Sequence, residues 1–164
     1  FPTRRSSDLP AVRWADGRKG TPDFLAWYRT WKGASTEAMF TSYPMIETIK
    51  GFSPTAYVGW EMSVPDQYRA DFFLRELKEF EARSQFPAFT IICLPNDHTS
   101  GTKKGAPTPA ACMADNDLAL GRMIEALSNS EFWEKTAVFV LEDDAQAGPD
   151  HVDSHRCNAF KLAV

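Results

Sequence analysis

Residues 137 to 156 read Ala-Val-Phe-Val-Leu-Glu-Asp-Asp-Ala-Gln-Ala-Gly-Pro-Asp-His-Val-Asp-Ser-His-Arg, and the reading of this stretch decides the fold expected for the whole chain. Its opening, Ala137 to Leu141, is an unbroken apolar run with two valines and a phenylalanine, the composition of a strand covered on both faces. Glu142, Asp143 and Asp144 follow where that strand would emerge, and His151 and His155 follow across a loop carrying Gly148 and Pro149. Open α/β sheets bind ligands at the carboxyl ends of their strands. Carboxylates and imidazoles gathered there are donors for a divalent cation.

Working outward, Ala88 to Leu94 reads as a second buried strand, broken by Pro95, with the exit loop Asn96-Asp97-His98-Thr99. A helix is expected over 65–85, with Phe73, Leu77 and Phe80 on one face, Leu74 and Ala70 widening it, and Glu76, Lys78, Glu79, Glu81 and Arg83 facing solvent. A second is expected over 111–129, with Met113, Leu120, Met123, Ile124 and Leu127 on one side and Asp115, Asn116 and Asp117 near its positive end. Ala159 to Val164 reads as a further strand. This alternation predicts a three-layer α/β/α sandwich around a largely parallel central sheet. Right-handed crossovers would put consecutive exit loops on one sheet edge, bringing Asp97 and His98 beside Asp143 and Asp144.

The N-terminal third reads differently. Phe24, Trp27, Tyr28 and Trp31 fall at i, i+3, i+4 and i+7, a short helix whose stripe is expected to pack rather than bind. From Gly33 to Val64, Gly, Pro and Ser recur between aromatics, so residues 10–64 are expected to form an irregular aromatic-rich lid or insert, and 65–164 the α/β unit. Phe1 to Leu9 resembles the translation of a sequencing-library adapter, of the kind left on reading frames assembled from environmental DNA. With Val164 falling inside a predicted strand, both ends read as cuts.

The chain has 164 residues and a formal net charge of -4 with no basic cluster, which argues against nucleic-acid binding. No apolar run is long enough to span a bilayer. Cys93, Cys112 and Cys157 lack CxxC spacing, so neither a thiolate zinc site nor a redox pair is indicated; Cys93 and Cys157 read as inert buried thiols. Lys103 and Lys104 do not sit in a Walker loop.

Adjacent carboxylates at 142–144 repel one another unless water or a cation screens them. The bland alternative is a solvated acidic turn; His151 and His155 close behind favour metal ligation. Their four-residue spacing is not an HExxH motif. Asp97-His98 fits a hydrogen-bonded loop pair as well as a ligand pair.

Four segments together, Leu-Pro-Asn-Asp-His-Thr-Ser-Gly-Thr (94–102), Pro-Thr-Pro (107–109), Ala-Asp-Asn-Asp-Leu-Ala-Leu-Gly-Arg (114–122) and Glu-Asp-Asp-Ala-Gln-Ala-Gly-Pro-Asp-His-Val-Asp-Ser-His-Arg (142–156), resemble the phosphoesterase branch of the alkaline phosphatase superfamily, which includes phospholipase C-like and acid phosphatase-like enzymes. The resemblance implies an alkaline phosphatase-like fold and a metal-dependent phosphomonoesterase or phosphodiesterase acting on a small phosphoester through zinc, manganese or calcium. It implies a Ser or Thr nucleophile activated by the metal. Asp143 and Asp144 match the paired acidic ligands, His155 or else His151 the late histidine, and Asp97 with His98 the middle ligand loop. The family's usual pair at 143–144 is Asp-His, and its middle histidine follows an Asp by four residues, where this chain has Leu94. Its nucleophile lies upstream of anything seen here, so the chain is expected to be the C-terminal half of a catalytic domain with little turnover of its own. Members are often exported and often fused behind a β-propeller, so a periplasmic or secreted parent is expected. Sulfate-ester or phosphonate hydrolysis would use the same chemistry. A reading from a different class is a non-catalytic module, in which a cation orders 142–156 and the aromatic 22–60 region docks a partner.

Overall fold

The computed structural model describes residues 13–39, 44, 46–142 and 159–163. Three helices form where the patterns place them. Helix α1 (Phe24–Trp31) starts at Asp23, whose carboxylate accepts the Ala26 amide at 2.9 Å and so satisfies one of the orphan donors of the first turn. Helix α2 (Asp66–Arg83) follows Pro65 and ends at Ser84, whose φ of 48° turns the chain out of the helix. Helix α3 (Pro109–Ser128) is capped by the Thr108 hydroxyl, which accepts the Ala111 amide at 3.2 Å, with Pro109 opening the first turn.

The main core lies between α2 and α3. Ala70, Phe73 and Leu77 meet Ala119, Met123 and Leu127, and Leu94, Phe86, Phe132 and Val138 close the rim. Met113, which the periodicity puts on this face, is exposed instead, and Cys112 and Ala119 take the buried positions. A second cluster joins Trp27 of α1 to Ala38, Val58 and Val64, with Tyr68 against it. Of the stripe expected to pack, Trp27 is buried at 2% exposed, Phe24 and Trp31 are half-buried and Tyr28 is open.

The expected three-layer sandwich with a parallel central sheet is not what the chain forms. Among the described residues there are two sheets, each of two antiparallel strands. Strands β1 (Arg13–Trp14) and β2 (Ala38–Met39) pair Trp14 with Ala38. Strands β3 (Ala137–Leu141) and β4 (Ala159–Ala163) pair Val138 with Leu162 and Val140 with Phe160. Parallel pairing requires a crossover element between the strands, and antiparallel pairing does not. Residues 88–94 form no strand at all. Phe89 and Ile91 are 76% and 79% exposed, and on β3 Phe139 and Leu141 are 62% and 69% exposed. Both apolar runs have strand composition, but burial on both faces needs neighbours on either side, and the described residues do not supply them.

Candidate functional site

The first turn of α2 carries Asp66 and, one turn later, Arg69; both side chains are fully buried. All five N–H donors of Arg69 are used. Nε donates to the Val58 carbonyl at 2.8 Å, Nη1 to Val64 at 2.7 Å and to Asp66 Oδ1 at 2.9 Å, and Nη2 to Gly59 at 2.7 Å and Glu61 at 2.9 Å. One guanidinium therefore gives shape to the irregular segment 58–64, whose carbonyls have no helix or sheet to bond with.

The other oxygen of Asp66 faces the loop after 88–94. Asp66 Oδ2 accepts the backbone amide of Asn96 at 3.0 Å and Nδ2 of Asn116 at 3.0 Å. Asn116 Nδ2 also donates to the Leu94 carbonyl at 2.8 Å. Asp115 Oδ2 accepts the Asp66 amide at 2.6 Å and Asn96 Nδ2 at 2.7 Å. Asn96 is 1% exposed, and its Oδ1 accepts no hydrogen bond among the described residues. The amide cannot be turned round to cure this, because the Asp115 carboxylate needs the NH2 group where it is. Burial lifts the Asp66 carboxyl from an ordinary 3.8 to about 6; Arg69, the Asn96 amide and Asn116 pull the other way, and Asp115 adds a smaller upward push.

Fastened by this clamp, Asn96–His98 makes a single 3-10 turn that leaves Asp97 and His98 half-buried at the surface. Nδ1 of His98 lies 3.1 Å from the Thr99 carbonyl. A carbonyl only accepts, so this contact assigns the ring proton to Nδ1 and leaves the Nε2 lone pair of the neutral imidazole for a ligand. The Trp60 ring stands edge-on to the imidazole, with centroids 5.0 Å apart. Arg69 fixes the carbonyls on either side of Trp60 and Asp66 fixes the residue two before His98, so the ion pair sets the two rings against each other. Thr99 closes the turn at φ 58° and ψ 169°, a region costly for a β-branched residue. Its amide donates to the Asn96 carbonyl at 3.0 Å and its hydroxyl accepts the Gly101 amide at 3.1 Å, and these contacts help to hold it there.

Of the candidate ligands, Asp97 and His98 stand together on this turn. Asp143, Asp144, His151 and His155 lie outside the described residues, as does Cys157. Among the described residues no group of three or more His, Cys, Asp or Glu side chains is placed to hold a metal ion. Nor is any described helix long and apolar enough to cross a membrane. A separate concavity of about 490 Å³ lies between α1 and the α2–α3 pair, where Asp71 accepts from Trp31 Nε1 at 2.7 Å and pairs with Arg122.

Sequence reasoning missed the clamp. It took Asp115 and Asn116 as residues suited to a helix dipole and Asp66 as suited to a helix first turn, with no further role. The available signal was Arg69, a charge on the buried stripe formed by positions 66, 69, 70, 73 and 77 of α2. A cation there needs partners from elsewhere in the chain.

No protein-family model, curated protein or solved structure matches this chain.

Proposed function

We propose that this chain is part of a metal-dependent phosphoester hydrolase, acting on a phosphomonoester or a phosphodiester. The observation that carries the reading is the state of His98. Its Nδ1–H is committed to a backbone carbonyl, its Nε2 is left as a donor atom, and it sits on a turn anchored by buried ion-pair and amide contacts beside Asp97. Metal-binding histidines are commonly oriented in this way, the second ring nitrogen donating to a carbonyl or carboxylate. An imidazole nitrogen with carboxylate oxygens suits zinc or manganese, and carboxylates alone suit calcium.

In this reading Asp97 and His98 contribute from one turn, and Asp143 and Asp144, with His155 or His151, contribute from the 142–156 segment. A divalent ion so held would polarise a phosphoryl oxygen and lower the pKa of an attacking hydroxyl or water. In that arrangement Asp97 and His98 would serve as ligands to the ion, with the Trp60 ring edge-on against the imidazole. The strained Thr99 supports a functional turn, since such backbone geometry persists where the surroundings enforce it.

Calorimetric titration of the purified chain with Mn2+ and with Zn2+ tests the reading. Saturable binding is expected, weakened at least tenfold by His98→Ala and by the double change Asp143→Asn with Asp144→Asn. Binding that is equally tight in all three proteins overturns it. Turnover of an aryl phosphate by the 164-residue chain is expected to be low, because no Ser or Thr in it is assigned as nucleophile.

A further inference from the structure

The concavity of about 490 Å³ between α1 and the α2–α3 pair contains none of the candidate metal ligands, and its walls have a chemistry of their own. The α1 side is aromatic. Tyr28 and Trp31, three residues apart on the helix, meet edge to face, with ring centroids 5.8 Å apart and planes at 76°. The indole is fixed at its edge: Nε1 donates to Asp71 Oδ2 at 2.7 Å, and Arg122 pairs with the other oxygen of that carboxylate.

Onto this wall the chain lays a cation of its own. Nζ of Lys32 stands 3.5 Å from the Trp31 ring centroid and 5.7 Å from that of Tyr28, the range in which the negative face of a ring holds an ammonium. Among the described residues Lys32 pairs with no carboxylate. The α3 side carries the complementary charge. Asp115 Oδ2 accepts only from neutral groups, the Asp66 amide and Asn96 Nδ2, and among the described residues no cation pairs with this carboxylate. Arg122 neutralises Asp71, so once Lys32 is set aside the cleft keeps one net negative charge, beside the apolar surfaces of Phe24 and Leu118. A carboxylate and a ring face both attract a cation and repel an anion.

We infer that this cleft is a binding site for an organic ammonium ion with a compact apolar body, and that Lys32 is the tethered competitor which such a ligand displaces.

The volume is that of a small-molecule site. The indole is already held by Asp71, so little ordering is left for the ligand to bring about. Lys32 is exposed and bound through ring faces alone, which makes its ammonium the part of the cleft that can leave.

Benzylammonium serves as the probe and benzyl alcohol as its uncharged counterpart, both followed through the indole N–H proton resonance of Trp31, which is identified by its disappearance in Trp31→Phe. Benzylammonium should shift that resonance saturably at millimolar concentrations, and benzyl alcohol should bind about threefold or more weakly. Lys32→Met keeps the stem and removes the internal ammonium, so affinity for benzylammonium should rise about threefold or more; damage to the fold does not produce a gain. Tyr28→Leu, at a side chain 44% exposed, should lower the affinity by a similar factor and leave the helical circular dichroism intact. Absence of saturable binding by Lys32→Met would overturn the assignment. So would benzyl alcohol binding as tightly as benzylammonium, an affinity unchanged or lowered in Lys32→Met, indifference to Tyr28→Leu, or a shift at another tryptophan with none at Trp31.

Discussion

Two regions of this molecule both present apolar side chains and meet opposite fates. Around the α2–α3 pair, every apolar stripe meets another, and even a buried guanidinium has all its donors matched. Across 88–94 and the β3–β4 ribbon, phenylalanine, isoleucine and leucine side chains stand in the open. The difference lies in where each element finds its hydrogen bonds. A helix satisfies its backbone within itself and needs one neighbour to cover one stripe. A central strand of a parallel sheet needs partners on both edges and cover on both faces, drawn from distant parts of a chain.

The contrast can be broken most severely at Arg69. Arg69→Ala leaves Asp66 buried without its counter-ion and strips donors from four carbonyls, so a loss of about 3–5 kcal/mol is expected in urea unfolding. A loss below about 1 kcal/mol would mean that water replaces the guanidinium and that the clamp is dispensable. Leu77→Ala, in the centre of the helix pair, should cost about 2–5 kcal/mol. The matched truncation Phe139→Ala on β3, where the ring is 62% exposed, should cost far less, about 0.5 kcal/mol or under. Equal losses at the two positions would erase the distinction between the regions.

A subtler probe is pH. Asp66 binds its proton more tightly in the fold, at about 6, than in the unfolded chain, near 3.8. The folded state therefore carries the extra proton between those values, and this group's contribution to stability falls as pH rises through roughly 4 to 6 and is level above. The loss should be on the order of 1–2 kcal/mol, with part of the nominal shift set aside because the carboxylate is paired with Arg69. Asp66→Asn should flatten that part of the profile. A wild-type stability that rises across the same window would show that ion pairing outweighs burial at this site.

The sequence disclosed the elements with local causes. Periodicity found α1, α2, α3 and the span of β3, because a helix writes its buried face into spacings of three and four and a strand writes its own into composition. The strand at 88–94 and the parallel sheet were not available in the same way: pairing depends on which segments meet, and nothing within Ala88–Leu94 encodes its neighbour. The candidate site divides along the same line. Asp97 and His98 announced themselves by residue type. The residues that hold them, Asp66, Asn96, Asp115 and Asn116, are ordinary polar residues until α2 and α3 lie side by side.

The way Arg69 gathers its acceptors also sets an order of events. The carbonyls of Val58, Gly59, Glu61 and Val64 converge on one side chain, so segment 58–64, which has local turns from the Glu61 amide to the Gly59 carbonyl and from the Val64 amide to the Glu61 carbonyl, can dock in its final place only once the first turn of α2 has formed and turned that side chain inward. Such a segment should join late in folding, with low φ-values, and should exchange its amide hydrogens with solvent in one cooperative opening rather than residue by residue.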